Sequence, residues 1–325
     1  MLRIINSHTD PYFNIALEEY LLKNLSEECF MLWHSEPSVV IGKHQNALAE
    51  INYPYVLSKG IKVVRRISGG GTVFHGPGNL NFTFIRKGVP GKMIDFRKHT
   101  EPVIGFLNDL GIPARFEGKN DIRVNGLKVS GNAEHIFKNR VLHHGTLLVN
   151  AKLETLKEAI RVRPDRYTDK SIQSVRSHVA NISEFTAEKI AFDQLMLRLG
   201  NHLESFFGKV EMYTLDDSDK EQINKLINEK YALWEWNYGY SPDYIFQGET
   251  EMEYGRVKLN LQVKNGRIAS AVFSGADLPQ YWHNLSRDMQ GKYHQYEEII
   301  KLVRNHKILQ NRDTDLTDGL FPLFF

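Results

Sequence analysis

Phe13, Ala16, Leu17, Tyr20 and Leu21 recur at helical spacing behind Asp10-Pro11, a capping residue followed by a proline suited to a first helical turn. The pattern predicts a helix with one apolar face, and Glu18 and Glu19 fall off that stripe. Phe30–Trp33 and Val39–Ile41 are short apolar runs of strand type, split by Ser35-Glu36-Pro37. Ile61–Val64 predicts another strand, which runs into Arg65-Arg66-Ile67-Ser68 and then Gly69-Gly70-Gly71. Thr72-Val73-Phe74 restores β-favouring composition, Gly76-Pro77-Gly78-Asn79 marks a turn, and Leu80–Phe84 alternates as a half-buried strand should. The glycines therefore interrupt a sheet and do not open a helix. Ile104, Phe106, Leu107 and Leu110 predict a helix closed by Gly111.

Asp121–Ser130 alternates around Asn125-Gly126, the strongest short hairpin signal. A two-residue loop there sets Val124 opposite Leu127 and Ile122 opposite Val129 on an apolar face. Arg123 then lies beside Lys128, and Asp121 beside Ser130, on the other. Opposed like charges are unfavourable unless solvated or bridged by an anion, and on pattern alone the two long stems splay apart at the surface. His135–Arg140 reads as a turn-like connection and Val141–Val149 as a strand. Its His143 and His144 are neighbours on a strand and point to opposite faces, so they do not chelate one ion together. Leu153, Leu156, Lys157 and Ile160 predict a helix ended by Arg161-Val162-Arg163-Pro164. Asn181-Ile182-Ser183 caps a helix running to about Phe207, and a further helix lies within Tyr213–Trp236.

The texture changes after Phe207, and Ser241-Pro242 is the linker candidate. Val257, Leu259, Leu261 and Val263 alternate up to a second Asn-Gly pair, Asn265-Gly266, and Ile268 onward returns as a strand. Helices at Tyr281–Met289 and Glu297–Val303 would cover the apolar face. The expected division is a large domain, 1–242, and a small C-terminal α+β domain, 243–325, whose thin connection suggests movement against the first. Its length of about eighty residues is near the lower end of independent stability.

Composition narrows the function classes. Across 325 residues, Lys+Arg 41 against Asp+Glu 39 leaves a net charge of +2, too balanced to argue for nucleic acid. Cys29, the single cysteine, excludes an intrachain disulfide or a cysteine-rich metal site and sits in an apolar run, as a buried small residue would. One lone thiol fits a reducing cytosol, no stretch approaches a membrane span, and the N-terminal residues carry no signal pattern, so a cytoplasmic location is expected. The glycine stretch lacks the Gly-Lys-Ser/Thr of a Walker loop and the strand-to-helix setting of a dinucleotide fingerprint. Its residues leave two readings open: backbone N–H groups cradling an anion beside two arginines, or a glycine-rich bend with solvated arginines.

Arg65-Arg66-Ile67-Ser68-Gly69-Gly70-Gly71-Thr72-Val73-Phe74-His75, with Gly78-Asn79 after it, resembles the signature of the lipoate–protein ligases, members of the biotin/lipoate ligase group. Asn120-Asp121 with Gly126–Ala133, His143–Leu148 and Ser171–Val179 are similar to the same family, in the same order, up to about residue 240. A departure is His178, where many relatives carry arginine. The resemblance implies an α+β fold with a mixed or antiparallel sheet core of the class II synthetase-like type. It implies an enzyme that activates lipoate with ATP to lipoyl-adenylate, then transfers the lipoyl group to a lysine of lipoyl carrier domains. Those partners are the E2 subunits of 2-oxoacid dehydrogenases and the glycine cleavage H protein, with no nucleic acid or membrane involved. Lys128 is implied as the catalytic cation between lipoyl carbonyl and α-phosphate. Arg66, Gly69, Gly70, Gly71, Thr72, Val73, Phe74, His75, Asn79, Asp121 and Ser130 are implied as nucleotide and substrate contacts, and Asp121 also as a ligand for Mg2+. His44 and Gln45 either meet substrate, as the family suggests, or form a solvated loop.

Three alternatives stand beside this reading. One is a lipoyltransferase that uses pre-formed lipoyl-adenylate. Another is a non-catalytic lipoate or adenylate binder, against which Lys128 argues. The third is an octanoyltransferase acting through a cysteine thioester, disfavoured because Cys29 lies far upstream of the motifs. Biotin ligases carry a glycine–arginine repeat that this loop lacks.

Overall fold

The computed structural model describes residues 1–160, 165–175, 177–308 and 319–325. Along the chain run β1 (Leu2–Ile5), α1 (Pro11–Asn24), β2 (Cys29–Trp33), β3 (Ser38–Ile41), α2 (Ala47–Glu50), α3 (Tyr53–Ser58), β4 (Lys62–Arg65), β5 (Val73–His75) and β6 (Asn79–Lys87). Next come α4 (Phe96–Asp109), β7 (Ala114–Glu117), β8 (Asp121–Val124), β9 (Leu127–Phe137), β10 (Arg140–Leu148), α5 (Leu153–Ala159) and β11 (Tyr167–Asp169). Then follow α6 (Phe192–Phe207), β12 (Glu211–Thr214), α7 (Asp217–Leu226), β13 (Tyr244–Met252), β14 (Gly255–Lys264), β15 (Arg267–Ser274), α8 (Gln280–Met289), α9 (Tyr296–Asn305) and α10 (Phe321–Phe324). The helix end expected at 161–164, and Arg176 of the Ser171–Val179 stretch, lie outside the described residues.

Two compact units share this chain. The first takes Met1–Lys43, Lys62–Lys157 and Ser174–Leu233; the second takes His44–Ile61, Glu158–Gln173 and Trp234–Phe325. The second unit thus draws in two earlier segments that a linear reading of the sequence assigns to the large domain.

In the first unit an eight-stranded sheet runs β12-β1-β2-β6-β10-β9-β8-β7. β1 pairs in parallel with β2 and β12, and the pairs from β2–β6 to β8–β7 are antiparallel, so the sheet is mixed. β4-β3-β5 form a separate three-stranded sheet. Phe30, Phe82, Phe84, Val103, Leu107, Leu199 and Leu203 interdigitate in the core where α4 and α6 pack. α1 packs against β6 and β10.

Asp10 caps α1 through Oδ1, which accepts from the N–H groups of Tyr12 and Phe13. The apolar stripe is buried as its spacing predicts, but Glu18 and Glu19 are buried too, at 1% and 3% exposure. Burying a carboxylate requires partners, and these come from the next helical turn and from distant parts of the chain. Glu19 takes Lys23 at 2.5 Å, Lys230 at 2.6 Å and the Tyr231 hydroxyl. Other expectations shift locally. The Asn181 capping box with Glu184 opens only a 3-10 turn, Ile182–Phe185, because the Thr186 hydroxyl accepts the Glu188 N–H in a competing turn. α6 starts afresh at Phe192. β9 continues to Phe137, leaving Lys138-Asn139 as the turn, with Lys138 at φ +54°. Tyr213 lies on a strand, and α7 begins only at Asp217, capped by Asp216.

The second unit carries the sheet β11-β13-β14-β15. Asn265 and Gly266 have φ of +50° and +73°, the two left-handed residues of a type I′ turn, as the Asn-Gly pair predicts. β14 alternates buried and exposed residues along its length. Trp282 and Leu285 of α8 and Ile299 and Val303 of α9 are fully buried. Tyr53 lies 5.0 Å from Phe325, and Tyr167 lies 5.0 Å from Phe246, ring centre to ring centre, so the earlier segments belong to this core. Among the described residues no helix is long and apolar enough to cross a membrane.

Candidate active site

β4 and β5 flank β3, one parallel and one antiparallel to it, so the chain between them must turn back on itself within a few residues. Glycine makes that turn possible: Gly70 has φ +90°. The Arg66 guanidinium is turned inward, at 5% exposure. Its Nη2 donates to the carbonyls of Gly69 at 2.6 Å and Gly71 at 2.7 Å, its Nη1 to Val40 O at 3.1 Å and its Nε to Ser68 Oγ at 3.0 Å. Burial lowers its pKa to about 10, so it stays charged at neutral pH. Arg66 therefore shapes the loop from behind, and the solvated-arginine reading is overturned. Because a trans peptide points its C=O and N–H to opposite sides, drawing the Gly69 carbonyl toward the guanidinium turns the Gly70 N–H away from it. Arg65 is fully buried as well, donating to the carbonyls of Gly42 and Lys43 at 3.0 and 3.1 Å. The two arginines thus brace two consecutive loops.

The rest of the motif has divided tasks. The Thr72 N–H donates to Ser174 Oγ at 2.9 Å, and a Cβ on Gly71 would stand 3.0 Å from the same oxygen. Val73 is half-buried and Phe74 buried on β5. His75 is buried with its ring edge-on to Trp33; burial, with Arg66 and His144 nearby, pushes its pKa down to about 3, so it is neutral. Asn79 Nδ2 donates to Phe74 O at 3.3 Å, while its buried Oδ1 has no hydrogen-bond partner among the described residues. His44 is exposed and Gln45 buried, both in the second unit.

The Asn125-Gly126 hairpin forms with φ of +50° and +79°, setting Val124 opposite Leu127 and Arg123 opposite Lys128 as read from the sequence. Past that pair the register slips. A bulge leaves Val129 as the extra residue, so Ile122 faces Ser130 and Asp121 faces Gly131. The expected pairs Ile122/Val129 and Asp121/Ser130 do not form. Val129 stays in the core, and Ser130 joins Asn132, whose Nδ2 lies 3.4 Å from Ser130 Oγ, away from Lys128. With only hydrogen opposite Asp121, the Lys128 stem crosses Gly131; a Cβ there would meet Lys128 Cε at 3.0 Å and Nζ at 3.1 Å. Lys128 Nζ reaches Asp121 Oδ1 at 2.8 Å, and Arg123 Nη2 reaches Oδ2 at 2.8 Å. The opposed cations are thus bridged by a carboxylate. The Lys128 main chain is pinned from the other side: its N–H donates to His178 O at 2.9 Å, and its carbonyl accepts from Ala180 at 3.1 Å. His178 serves here through its backbone, so its side-chain identity does not enter that contact.

Each Asp121 oxygen meets one cation, Lys128 on Oδ1 and Arg123 on Oδ2, which leaves each oxygen a second lone pair. His143 and His144 diverge as expected. His144 reaches Ser68 Oγ at 2.6 Å through Nε2 and Glu18 Oε2 at 2.8 Å through Nδ1. His143 and His99 both meet Glu134 Oε1, at 2.9 and 2.8 Å. Their donors hold Glu134 down to about 2, a hydrogen-bonded tie between α4, β9 and β10. Sequence reasoning did not single out Glu18, Ser68, Gly131 or Ser174. Ser68, Gly131 and Ser174 lie inside the family-like stretches, while for Glu18 the only signal was a carboxylate pair on a helix otherwise apolar enough to be buried.

The family of the lipoyl protein ligase A/B catalytic domain matches residues 10–204. Lipoate–protein ligase 1 of Staphylococcus aureus is 43% identical over 312 residues, which cover 93% of this chain and 93% of that protein. The bi-partite lipoate protein ligase of Thermoplasma acidophilum, solved with its E2 lipoyl domain as an archaeal lipoylation system, is 25% identical with a TM-score of 0.63, covering 74% of this chain and 96% of that one. A lipoate-protein ligase A bound with ATP shares the fold at 24% identity and a TM-score of 0.63, over 74% of this chain and 98% of its own. With its catalytic region matched and its relatives aligned over nearly the whole length, the chain belongs to the lipoate–protein ligase family.

Proposed function

We propose that the chain joins lipoate to a lysine of lipoyl carrier domains in two steps. The lipoate carboxylate attacks the α-phosphorus of ATP and pyrophosphate leaves. The lysine amine then attacks the carbonyl of the mixed anhydride, an amide forms and AMP leaves. Both steps build negative charge on oxygen, and a fixed cation lowers that cost most when it is already in place. The observation that carries the reading is the Lys128 ammonium laid across Gly131 and held at 2.8 Å by Asp121.

In this reading Gly69, Gly70, Gly71, Thr72, Val73 and Phe74 offer backbone to the nucleotide, and Arg66 adds charge from beneath. His75, Asn79 and Ser130 are the remaining candidate contacts. Asp121 orients Lys128, and its remaining lone pairs would help hold a magnesium ion, which would neutralise charge on the nucleotide phosphates. Residues 1–242 carry the chemistry and 243–325 an accessory role. The E2 lipoyl domain solved with the Thermoplasma ligase supports E2 subunits as acceptors. The glycine cleavage H protein belongs to the same acceptor class, and the cytoplasm is the expected location.

The thioester route has no support in the environment of Cys29, where burial at 1% exposure pushes the thiol up to about 12. The reading is tested by mixing the protein with ATP, magnesium and lipoate, without carrier, and following pyrophosphate. Lipoate-dependent release is expected. Transfer from synthetic lipoyl-adenylate without any such release would instead establish a lipoyltransferase.

A further inference from the structure

Behind the glycine loop lies a row of hydrogen bonds that the proposed chemistry does not use. Trp33 Nε1 lies 2.9 Å from Thr83 Oγ1, which lies 2.5 Å from Glu18 Oε1. Glu18 Oε2 is 2.8 Å from His144 Nδ1, His144 Nε2 is 2.6 Å from Ser68 Oγ, and Ser68 Oγ is 3.0 Å from Arg66 Nε. Glu18, Thr83 and Ser68 are at most 1% exposed and His144 8%, so water does not substitute for a missing partner cheaply.

The donors run inward from both ends and converge on the Glu18 carboxylate. An indole N–H can only donate, so Thr83 accepts from Trp33 and passes its own O–H to Glu18. At the far end a guanidinium can only donate, so Ser68 accepts from Arg66 and passes its O–H to His144 Nε2. That nitrogen must then be bare, which puts the imidazole proton on Nδ1, where the Glu18 carboxylate accepts it. One proton arrangement satisfies every member.

We propose that Glu18 is a positioning residue for the glycine loop: by fixing the His144 tautomer it gives the Ser68 O–H its acceptor and so holds Ser68 Oγ in place for Arg66 Nε, which sets where Arg66 holds the carbonyls of Gly69 and Gly71. This rests on the reading that the loop receives the nucleotide. Glu18→Gln is nearly isosteric but cannot accept at both positions; its amide N–H, turned to either neighbour, opposes a donor already there. With the amide facing His144 the imidazole proton moves to Nε2, and Ser68 meets two donors while its own O–H loses its acceptor.

The test is a pair of backgrounds. Glu18→Gln is expected to lower kcat/KM for ATP in lipoate-dependent pyrophosphate release about tenfold in the wild type. In a Ser68→Ala background it is expected to change nothing further. Equal losses in the two backgrounds, or none in the wild type, would overturn the relay while leaving the nucleotide reading intact. His144→Gln in the same two backgrounds gives the same comparison should Glu18→Gln not fold. Wild-type protein that releases no pyrophosphate would overturn the nucleotide reading, and this proposal with it.

Discussion

Lys128 owes its place to four neighbours. Asp121 holds its ammonium, Gly131 gives its stem room, and Ala180 and His178 pin its main chain. Lys128→Ala removes no buried apolar contact, so it is expected to fold normally yet lose about 10²–10³ in rate in both adenylation and transfer. Lys128→Arg is not expected to restore full activity, because a planar fork cannot occupy the place of a compact ammonium. Near-normal rates in both half-reactions of Lys128→Ala would remove Lys128 from the site. On pattern alone Lys128 reads as one of two stems splayed at the surface beside Arg123, and only the family resemblance assigns it to the site. Glu18 was not legible in that way. A helical stripe reports which side chains are apolar, whereas the burial of a carboxylate depends on His144 and Thr83, which lie far along the chain.

The β8–β9 hairpin shows how an element can be read correctly at its turn and wrongly at its far end. Asn125-Gly126 sets the turn through two left-handed residues, and that chemistry is local. The bulge at Val129 is not local, because the parallel bridge from Lys128 to Val179 and the pairing of β9 with β10 decide it. Alternation continues plausibly in either register, so the pattern alone carried no trace of the slip. Gly131→Ala tests the bulged arrangement directly. Its backbone is not in the left-handed region, so alanine adds only a methyl group, about 3.0 Å from the Lys128 stem. The flexible lysine is expected to yield and the fold to persist, with an unchanged melting temperature. A displacement of the ammonium by about 1 Å is expected to cost about 10² in adenylation rate. An alanine variant with wild-type adenylation would mean that Lys128 does not act from across Gly131.

On the scale of the whole molecule the packing units and the linear order part company. Ser241-Pro242 reads as a linker, yet Tyr53, Tyr167 and Arg166 all pack with the C-terminal residues, Arg166 donating to Pro322 O and Phe325 O. A chain cut after residue 242 would therefore strip β11 of its partner strand and expose the rings of Tyr53 and Tyr167. Such a truncation is expected to aggregate or to melt well below the full chain, and equal melting temperatures would contradict the unit boundaries. The interleaving also bears on how the molecule comes into being. Synthesis delivers residues in order, but β1 receives its outer neighbour only when Glu211–Thr214 has been made, and Tyr53 meets Phe325 only after more than two hundred and fifty further residues. The first unit is complete only once Leu233 has been made, and the second needs residues up to Phe325. The nascent protein thus spends most of its synthesis with an unpaired strand and bare aromatic surface, conditions under which a holding chaperone would raise the yield more than a faster folding step.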